Sequence, residues 1–534
     1  MSNEVKYMQQ RITINLNTDS KTAGKPTILE YCRSHGVTGI EAPCGGKGTC
    51  GKCKVTVTKP YYKEVLACQT KICDDMEIIV GRKESTGTKE DSMVVLTNGG
   101  SISEKFNEPE KVESYAGTLA ACDIGTTTVV CYLIDKETGR IIAVRSGANP
   151  QRSFGADVLS RIDAAARADD NDKANGGLQM MQSQIVSLLN GFISDMLMEC
   201  GRTEVCLFSV AGNTVMCHLL MGISPEKLGR APFMPDEYFG REFNPLDIGI
   251  ENCQTMIIFP AVSGFVGGDI TAGMMETVNC NELTLYLDIG TNGEMALGKG
   301  DRYVCCATAA GPAFEGAQIE MGMPASRGAV DKVWLEGRRI KYSVIGNDRP
   351  VGLCGSGLID ALAILLKAGI IDENGTILSG QELPILFRSY VFELEAGDAS
   401  QSTETSLAIH IAPGVYITQE DIRKLQLAKG AIAAGIDILF KEYGCKPCDL
   451  DILTFAGGFG NYIDKASVAA IGLFPPELLD RAKEVGNAAG NGAVSAALSQ
   501  EAWESALDNS GKMRYIELAS YPHFDEIYVE HMNF

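Results

Sequence analysis

The stretch "TLAACDIGTTTVVCYLID" runs from Thr118 to Asp135, and a twin, "LTLYLDIGTNGEMALG", runs from Leu283 to Gly298. Each contains an apolar run, the tetrad Asp-Ile-Gly-Thr and a second apolar run, which predicts a strand, a glycine turn and another strand. Two copies so far apart indicate a duplicated lobe and not a solenoid repeat. The alternative is two ordinary β-hairpins that happen to have glycine turns.

The repeated tetrad has the chemistry of a phosphate site. An aspartate that ends a buried strand can hold the water shell of Mg²⁺, and the glycine and threonine that follow offer N–H and hydroxyl groups to phosphate oxygens. The sequence contains no GxxxxGK[ST] stretch, so a P-loop is excluded as the nucleotide site.

Length and composition are those of a soluble globular protein of about two to four domains. The chain has 534 residues, of which 45% are hydrophobic and 22% charged. Its net charge of −21 argues against nucleic acid or an anionic membrane surface as a partner. Because the first residues, "MSNEVKYMQQ", lack the apolar core of a signal peptide, we expect a cytoplasmic protein whose eighteen cysteines are reduced.

Glycine and cysteine dominate a loop upstream of the repeat, "APCGGKGTCGKCKV". The thiols are separated by five, two and fourteen residues, at Cys44, Cys50, Cys53 and Cys68. A tight loop that supplies three thiolates, with a fourth from a later element, is typical of a [2Fe–2S] cluster. The alternative is a zinc site, but zinc knuckles usually show two CxxC pairs and only Cys50 and Cys53 form one.

The elements around this loop predict a small β-grasp domain over residues 1–82. "RITINLN", "KVTVT" and "MEIIVG" read as strands, and "TILEYCRSHG" reads as a short helix. Residues 83–117 are polar and charged, which is typical of a linker. The remainder, 118–534, would then be the domain that contains the repeat.

Two resemblances follow from these motifs. The cysteine loop resembles plant-type [2Fe–2S] ferredoxins, although its first gap is one residue longer and its last gap looks short. Residues 118–534 resemble the family of actin, the heat-shock chaperones and the sugar kinases. That resemblance implies an α/β fold in which two ribonuclease-H-like lobes, about 118–282 and 283–534, clamp ATP with Mg²⁺.

The family's motifs imply a set of binding residues. The first phosphate motif would be Asp123, Gly125, Thr126, Thr127 and Thr128; the second would be Asp288, Gly290, Thr291, Asn292 and Gly293. The adenosine motif matches "ILTFAGGFGNY", with Gly457, Gly458 and Gly460. "VSGFVGGDITAGMMETV" and "GNAAGNGAVSAAL" occupy the places of the two connecting helices, and their small residues should let these helices cross closely.

Asp269 begins the first connecting helix. Relatives place an acidic or amide residue there that orients the attacking water or hydroxyl, which makes Asp269 a catalytic candidate together with Asp123 and Asp288. A carboxylate at a helix N-terminus is also a common cap, and this alternative stays open.

The chain from Ile12 onward resembles the reductive activators of corrinoid proteins in anaerobic methyl-transfer metabolism. The motifs that carry this resemblance include "CGGKGTCGKC", "NPQRSFGADVLSRI", "AGNTVM", "AAGPAFEGA", "GLCGSGLIDA" and "ITQEDIRKLQLAKGAI". It implies an ATP-dependent transfer of one electron from the cluster to a Co(II) corrinoid protein, which restores Co(I). A low-potential donor such as a ferredoxin would supply the electron, and a homodimer is left open.

Two alternative functions come from other classes. A small-molecule kinase of the sugar or acetate type with a redox-sensing cluster would ignore any corrinoid protein. A nucleotide-gated binding module with a structural cluster would bind its partner normally while oxidised. An activator of radical dehydratases is a nearer alternative, but such activators share a cluster between subunits, whereas this chain has four candidate ligands in one domain.

Overall fold

A computed structural model describes residues 8–14, 26–35, 37, 40, 42, 44–48, 51–82, 117–166, 176–278, 281–290, 292–316, 318–394, 406–457 and 463–534. Internal contacts divide the described residues into two compact units, one ending at Gly267 and the other beginning at Gly268. The predicted linker lies outside the described residues except for Gly117. The domain boundaries drawn from the sequence stay predictions.

The N-terminal part of the first unit is a four-stranded antiparallel sheet with one helix. Its elements are β1 (Met8–Ile14), α1 (Ile28–Ser34), β2 (Lys54–Lys59), β3 (Lys63–Leu66) and β4 (Met76–Arg82). The strand order is β1-β4-β2-β3. Helix α1 starts at a capping box, in which the Thr27 hydroxyl accepts from the Glu30 N–H and the Glu30 carboxylate accepts from the Thr27 N–H. The predicted helix and strands of this region are confirmed.

The rest of the first unit is built on a six-stranded sheet. Its elements are β5 (Thr118–Ile124), β6 (Thr128–Asp135), β7 (Arg140–Ala148), α2 (Val158–Ala166), α3 (Gly177–Glu199), β8 (Val205–Gly212), α4 (Thr214–Met221), β9 (Arg241–Phe243) and β10 (Cys253–Ile258). The order is β7-β6-β5-β8-β10-β9. Every residue of β8 is buried, as expected of a strand covered on both faces.

The second unit contains a second six-stranded sheet, two three-stranded sheets and seven helices among its described residues. The elements are α5 (Gly268–Thr277), β11 (Thr284–Ile289), β12 (Gly293–Lys299), β13 (Arg302–Thr308), β14 (Ala329–Glu336), β15 (Arg339–Val344), β16 (Gly352–Leu353), α6 (Gly355–Lys367), β17 (Val391–Leu394), β18 (Ser406–Ala412), β19 (Val415–Thr418), α7 (Gln419–Tyr443), β20 (Ile452–Ala456), α8 (Lys465–Ala470), β21 (Ala482–Gly486), α9 (Ala488–Leu498), α10 (Gln500–Lys512), β22 (Met513–Tyr515) and α11 (Phe524–Glu530). The large sheet has the order β21-β20-β11-β12-β13-β22.

The two large sheets share the topology of five strands and differ in the edge to which the sixth strand is added. In the first unit β5 pairs antiparallel with β6 and parallel with β8; in the second, β11 pairs antiparallel with β12 and parallel with β20. Each Asp-Ile-Gly-Thr tetrad therefore ends the central strand of a six-stranded sheet. The prediction of a duplicated ribonuclease-H-like lobe is confirmed, and the alternative of two unrelated hairpins is wrong.

Helices α5 and α9 cross at very close range. A Cβ atom built on Gly492 would lie 2.2 Å from the Ala272 carbonyl oxygen, and one built on Gly273 would lie 3.2 Å from the Ala488 Cβ. These distances leave no room for side chains at the crossing. The expectation that small residues let the two connecting helices pack closely is confirmed.

Replacing Gly492 with alanine should destabilise the second unit, because the added methyl group would collide with backbone that cannot easily move. We expect a loss of about 1–3 kcal/mol, measured as a lower midpoint of thermal unfolding. Gly191→Ala is the matched control, since Gly191 is an exposed glycine within α3 and its Cβ would have nothing within 4 Å. There alanine should stabilise by about 0.5–1 kcal/mol. Equal behaviour of the two variants would contradict the close crossing.

Candidate functional site

The turn between β5 and β6, which we call hairpin 1, can form only because residue 125 is glycine. The Gly125 N–H donates to the Thr128 carbonyl at 2.9 Å. A Cβ on Gly125 would lie 2.7 Å from the same oxygen, closer than real Cβ atoms approach. Asp123 lies near the end of β5, and Thr126 at the tip of the turn is buried. The predicted residues of the first phosphate motif therefore form one tight turn.

Asn149 holds the backbone of hairpin 1 from outside the turn. Its N–H donates to the Thr127 carbonyl at 2.9 Å, and its side-chain Nδ2 donates to the Gly125 carbonyl at 2.9 Å. Asn149 is almost completely buried, so these bonds are shielded from water. The turn is thus tied to the residues that follow β7.

Two further side chains bind the tip of hairpin 1. The guanidinium of Arg161, on α2, donates to the Thr126 carbonyl, and Asn213 Nδ2 donates to Thr126 Oγ1 at 3.1 Å. Arg161 is fully buried. Sequence reasoning missed Asn149 and Arg161, because an arginine in the polar stretch "NPQRSFGADVLSRI" cannot be told from a solvent-exposed one. Asn213 follows β8 and caps α4, where its Oδ1 accepts from the Met216 N–H at 2.9 Å.

The turn between β11 and β12, called hairpin 2, is also closed by its tetrad glycine, but across a ring one residue shorter. The Gly290 N–H donates to the Asn292 carbonyl at 2.9 Å. Asn292 Nδ2 donates to Glu294 Oε1 at 3.1 Å. A Cβ on Gly293 would lie 2.9 Å from Thr308 Oγ1, so a larger side chain at this position would collide with Thr308. Thr291 lies outside the described residues.

Three carboxyl groups of the second unit interact at hairpin 2. Burial raises the pKa of Glu294 well above its ordinary value, and the negative charges of Asp269 and Asp288 raise it further. Glu294 is 7% exposed. Burial also raises the pKa of Asp269 to about 6. Asp269 precedes Glu294 by 25 residues in the sequence, and the fold brings it into electrostatic reach of Glu294.

Asp269 does not act as a conventional helix cap. Its Oδ1 accepts from the N–H of the adjacent Ile270 at 2.9 Å, and the residue lies in the first turn of α5. A capping side chain instead accepts from the N–H two or three residues onward. The bond to the adjacent N–H thus differs from the usual N-cap bond, and the catalytic role of Asp269 stays a prediction.

The first glycine of the predicted adenosine motif lies against hairpin 2. Gly457 follows β20 with a φ of +92°, and a Cβ there would lie 2.6 Å from Asp288 Oδ1. Any side chain would displace the Asp288 carboxylate, and φ in this region also favours glycine. Gly458 and Gly460 lie outside the described residues. Two motifs that are far apart in sequence are therefore neighbours, as the family resemblance implied.

The thiol loop brings two of its predicted ligands together. Cys53 Sγ and Cys68 Sγ are 3.2 Å apart. Cys44 is half-buried in the same loop, and Cys50 lies outside the described residues. Gly46 has a φ of +92°, and its Cβ would lie 3.2 Å from Leu29 Cδ2 and 3.8 Å from the Cβ of Cys68. The backbone therefore wraps closely around the thiols.

These residues fit the groups that the motifs imply. Adjacent thiols in a glycine-rich loop suit an iron–sulfur cluster, and glycine turns beside carboxylates suit phosphate and Mg²⁺. Within the described ranges, which omit Cys50, no group of three or more His, Cys, Asp or Glu side chains is arranged to hold a metal ion. In the same ranges, no helix is long and apolar enough to span a membrane.

Three protein-family models together match nearly the whole chain. Residues 14–73 match the 2Fe-2S iron-sulfur cluster binding domain. Residues 119–279 match the RACo middle region, and residues 282–534 match the C-terminal domain of RACo, described as the ASKHA domain.

Known relatives cover the chain almost from end to end. The corrinoid activation enzyme RamQ of Eubacterium limosum is 32% identical over 582 aligned positions, which cover 94% of this chain and 95% of RamQ. A [Co(II) methylated amine-specific corrinoid protein] reductase of Methanosarcina barkeri is 26% identical, over 66% of this chain and 65% of the relative. The solved structure of a reductive activator for corrinoid, iron-sulfur protein is 29% identical, with a TM-score of 0.68 and 98% of both chains covered.

Replacing Cys53 with serine should remove the visible absorption of the cluster, because serine cannot supply the thiolate that Cys53 offers beside Cys68. Nucleotide binding, measured by calorimetry, should be retained. Cys73→Ser is the matched control, since Cys73 is an exposed cysteine of the same domain outside the loop pattern, and it should keep the spectrum. An unchanged spectrum in Cys53→Ser would refute the ligand assignment.

Asp269→Asn should make the stability of the nucleotide-free protein less dependent on pH. The folded-state pKa of Asp269, about 6, lies above its ordinary value of 3.8, so the folded protein binds this proton more tightly than the unfolded chain does. The free energy of unfolding of the wild type therefore falls as the pH rises from 3.8 to about 6. The variant should be more stable than the wild type at about pH 7, by at most about 3 kcal/mol, and similar to it near about pH 4.

Thermal unfolding across this pH range measures the effect. Asparagine can still accept the hydrogen bond from the Ile270 N–H, so the variant removes only the charge. Asp480→Asn makes the same chemical change at an exposed site of the second unit and serves as the control. Parallel stability–pH curves for wild type and Asp269→Asn would contradict the raised pKa.

Proposed function

Because this chain belongs to the family of reductive activators of corrinoid proteins, we propose that it delivers one electron to the Co(II) corrinoid of a methyl-transfer protein in an ATP-dependent reaction. The electron converts Co(II) to Co(I), and a low-potential donor such as a ferredoxin replaces it. One observation carries this proposal: a single chain combines a [2Fe–2S] domain with an ASKHA domain along the full length of a known corrinoid activation enzyme.

The redox half of the proposal rests on the thiol loop. We propose Cys44, Cys50, Cys53 and Cys68 as the ligands, and Cys53 and Cys68 already lie 3.2 Å apart. A bound [2Fe–2S] cluster of the plant type supplies a one-electron carrier with a potential near about −400 mV. The glycine-rich backbone of the loop can direct N–H groups toward the sulfur atoms and so adjust that potential.

The nucleotide half rests on the two hairpins. We propose that the turns of hairpin 1 and hairpin 2 bind phosphates, and that Asp123 and Asp288 hold the water shell of Mg²⁺. The glycines at 457, 458 and 460 would face the adenosine. With a pKa of about 6, Asp269 is mostly ionised at neutral pH but can still accept a proton, as a residue that orients and activates the attacking water requires.

Energetics explain why ATP would be needed. For one electron, every ~59 mV uphill lowers the equilibrium constant tenfold, and Co(I) is a harder product to form than the reduced cluster. ATP helps only if it changes the free energy of a state that carries the electron or the cobalt. We propose that the nucleotide-bound protein binds the corrinoid protein tightly and alters the ligation of its cobalt. Hydrolysis of ATP then releases the corrinoid protein.

An anaerobic single-turnover experiment tests the function. The purified protein is reduced, freed of excess reductant, and mixed with a methyl-transfer corrinoid protein in its Co(II) form. With MgATP the absorption band of Co(I) should appear, because the electron on the activator can then pass to cobalt. Equal reduction with nucleotide withheld would remove the ATP dependence. A phosphorylated small molecule and no Co(I) would favour the kinase alternative.

Variants separate the two halves in the same assay. Asp288→Ala should abolish hydrolysis of MgATP, and Asp123→Ala should do the same. Asp269→Asn should slow hydrolysis while nucleotide binding persists, because only the group that orients the water is lost. Asp480→Asn should behave as wild type. A wild-type rate in Asp269→Asn would limit this residue to a structural role.

A further inference from the structure

The cluster loop and α1 contact the segment that follows β7. Arg33, on α1, donates from Nε to the Ser153 carbonyl oxygen at 2.9 Å, and a second guanidinium nitrogen reaches the same oxygen. The Arg33 guanidinium also lies over the ring of Phe154, 4.8 Å from its centroid. A forked, stacked arginine of this kind makes contacts that lysine could not reproduce.

The loop itself extends this contact. Gly45 is buried, its φ is +65°, and a Cβ there would lie 3.1 Å from the Phe154 carbonyl oxygen. Lys47 Nζ lies 2.9 Å from Asp163 Oδ2. The side chains of Lys47 and Asp163 are 48% and 55% exposed, so this pair adds little on its own. Docking thus depends mainly on Arg33 and on the close backbone approach.

The segment that contacts the cluster loop also forms hydrogen bonds to the backbone of hairpin 1. We call residues 149–163 the bridge segment. At one end Asn149 binds the carbonyls of Gly125 and Thr127, and Arg161 binds the carbonyl of Thr126. The carbonyls of three consecutive turn residues thus all accept from the bridge segment.

The bridge segment is stiffened by its own hydrogen bonds. Asn149 Oδ1 accepts from the Gln151 N–H at 2.9 Å, and the Gln151 carbonyl accepts from the Phe154 N–H at 2.9 Å. Arg161 Nε donates to the Gly155 carbonyl at 3.1 Å. A shift of the hairpin 1 backbone is therefore transmitted to Ser153 and Phe154, the residues that Arg33 contacts.

We propose that the bridge segment couples nucleotide binding at hairpin 1 to docking of the cluster loop. Arg161 is a positive charge buried beside the hairpin, and anionic phosphates bound there stabilise it and the segment that carries it. A firmly held bridge segment presents Ser153 and Phe154 to Arg33. The nucleotide therefore favours the docked loop, and by linkage the docked loop raises the affinity for nucleotide by the same factor.

This inference rests on the proposed function, because it assumes that hairpin 1 binds phosphate. It adds that the docked and undocked positions of the cluster loop are the two states on which the nucleotide acts. Release of the nucleotide weakens the bridge segment and frees the loop.

Hydrogen–deuterium exchange of the full-length protein tests the coupling without any turnover. The probe is the non-hydrolysable analogue AMPPNP with Mg²⁺. In the wild type, AMPPNP should slow exchange in peptides from 26–48 as well as from 150–163, because docking covers both. In Arg33→Ala the slowing over 26–48 should disappear, and the affinity for AMPPNP should fall about three- to tenfold. Arg140→Ala, an exposed arginine in the same unit, is the matched control and should retain both effects.

A charge-reversal series distinguishes a loss of docking from misfolding of the variant. Each single reversal places two like charges face to face, so Lys47→Glu and Asp163→Lys should each reduce the protection of 26–48 in part, and the double variant should restore it, while the visible spectrum of the cluster stays intact. Unchanged exchange over 26–48 in wild type that binds AMPPNP, or equal AMPPNP affinity in Arg33→Ala, would overturn the coupling. If such a protein still forms Co(I) only with MgATP, the proposed function survives and the coupling alone fails.

Discussion

The main electrostatic constraint on the second unit is a set of carboxyl groups that lie near one another at hairpin 2. Burial raises the pKa of Glu294, and the negative charges of Asp269 and Asp288 raise it further. Such a group is stable only if rigid backbone holds it. Close packing provides that backbone, since α5 crosses α9 where Gly492 leaves no space for a side chain, and Gly457 passes directly beside the Asp288 carboxylate. A bound cation would relieve the repulsion between these carboxylates, and that is the role proposed for Mg²⁺.

The two hairpins share a tetrad but differ in electrostatic surroundings. Hairpin 1 is bound at its tip by the buried guanidinium of Arg161, whereas hairpin 2 is surrounded by carboxyl groups. A positive environment suits a phosphate anion and a negative one suits a metal ion. The duplicated lobes thus supply one topology twice, and the residues outside the tetrad give each copy different electrostatic surroundings, although both turns are proposed to bind phosphate.

The bridge segment gives the redox domain a physical connection to that chemistry. Its residues reach the turn of hairpin 1 through Asn149 and Arg161 and meet the thiol domain through Phe154. An activator that must release its electron only when the acceptor is prepared needs such a connection.

The sequence alone determined the duplicated strand–turn–strand units and the β-grasp elements, because periodicity, glycine turns and cysteine spacing are local patterns that the chain repeats or arranges in order. The family followed from the resemblance of its motifs to known activators. The sequence also led to Asp123, Asp288 and Gly457, since these residues occur inside such patterns. Only the tertiary structure decided that Arg161 is buried against Thr126, that Asp269 acts on Glu294, and that Arg33 lies on Phe154. Burial and pairing of this kind depend on which distant residues meet, and no local pattern of residues records that.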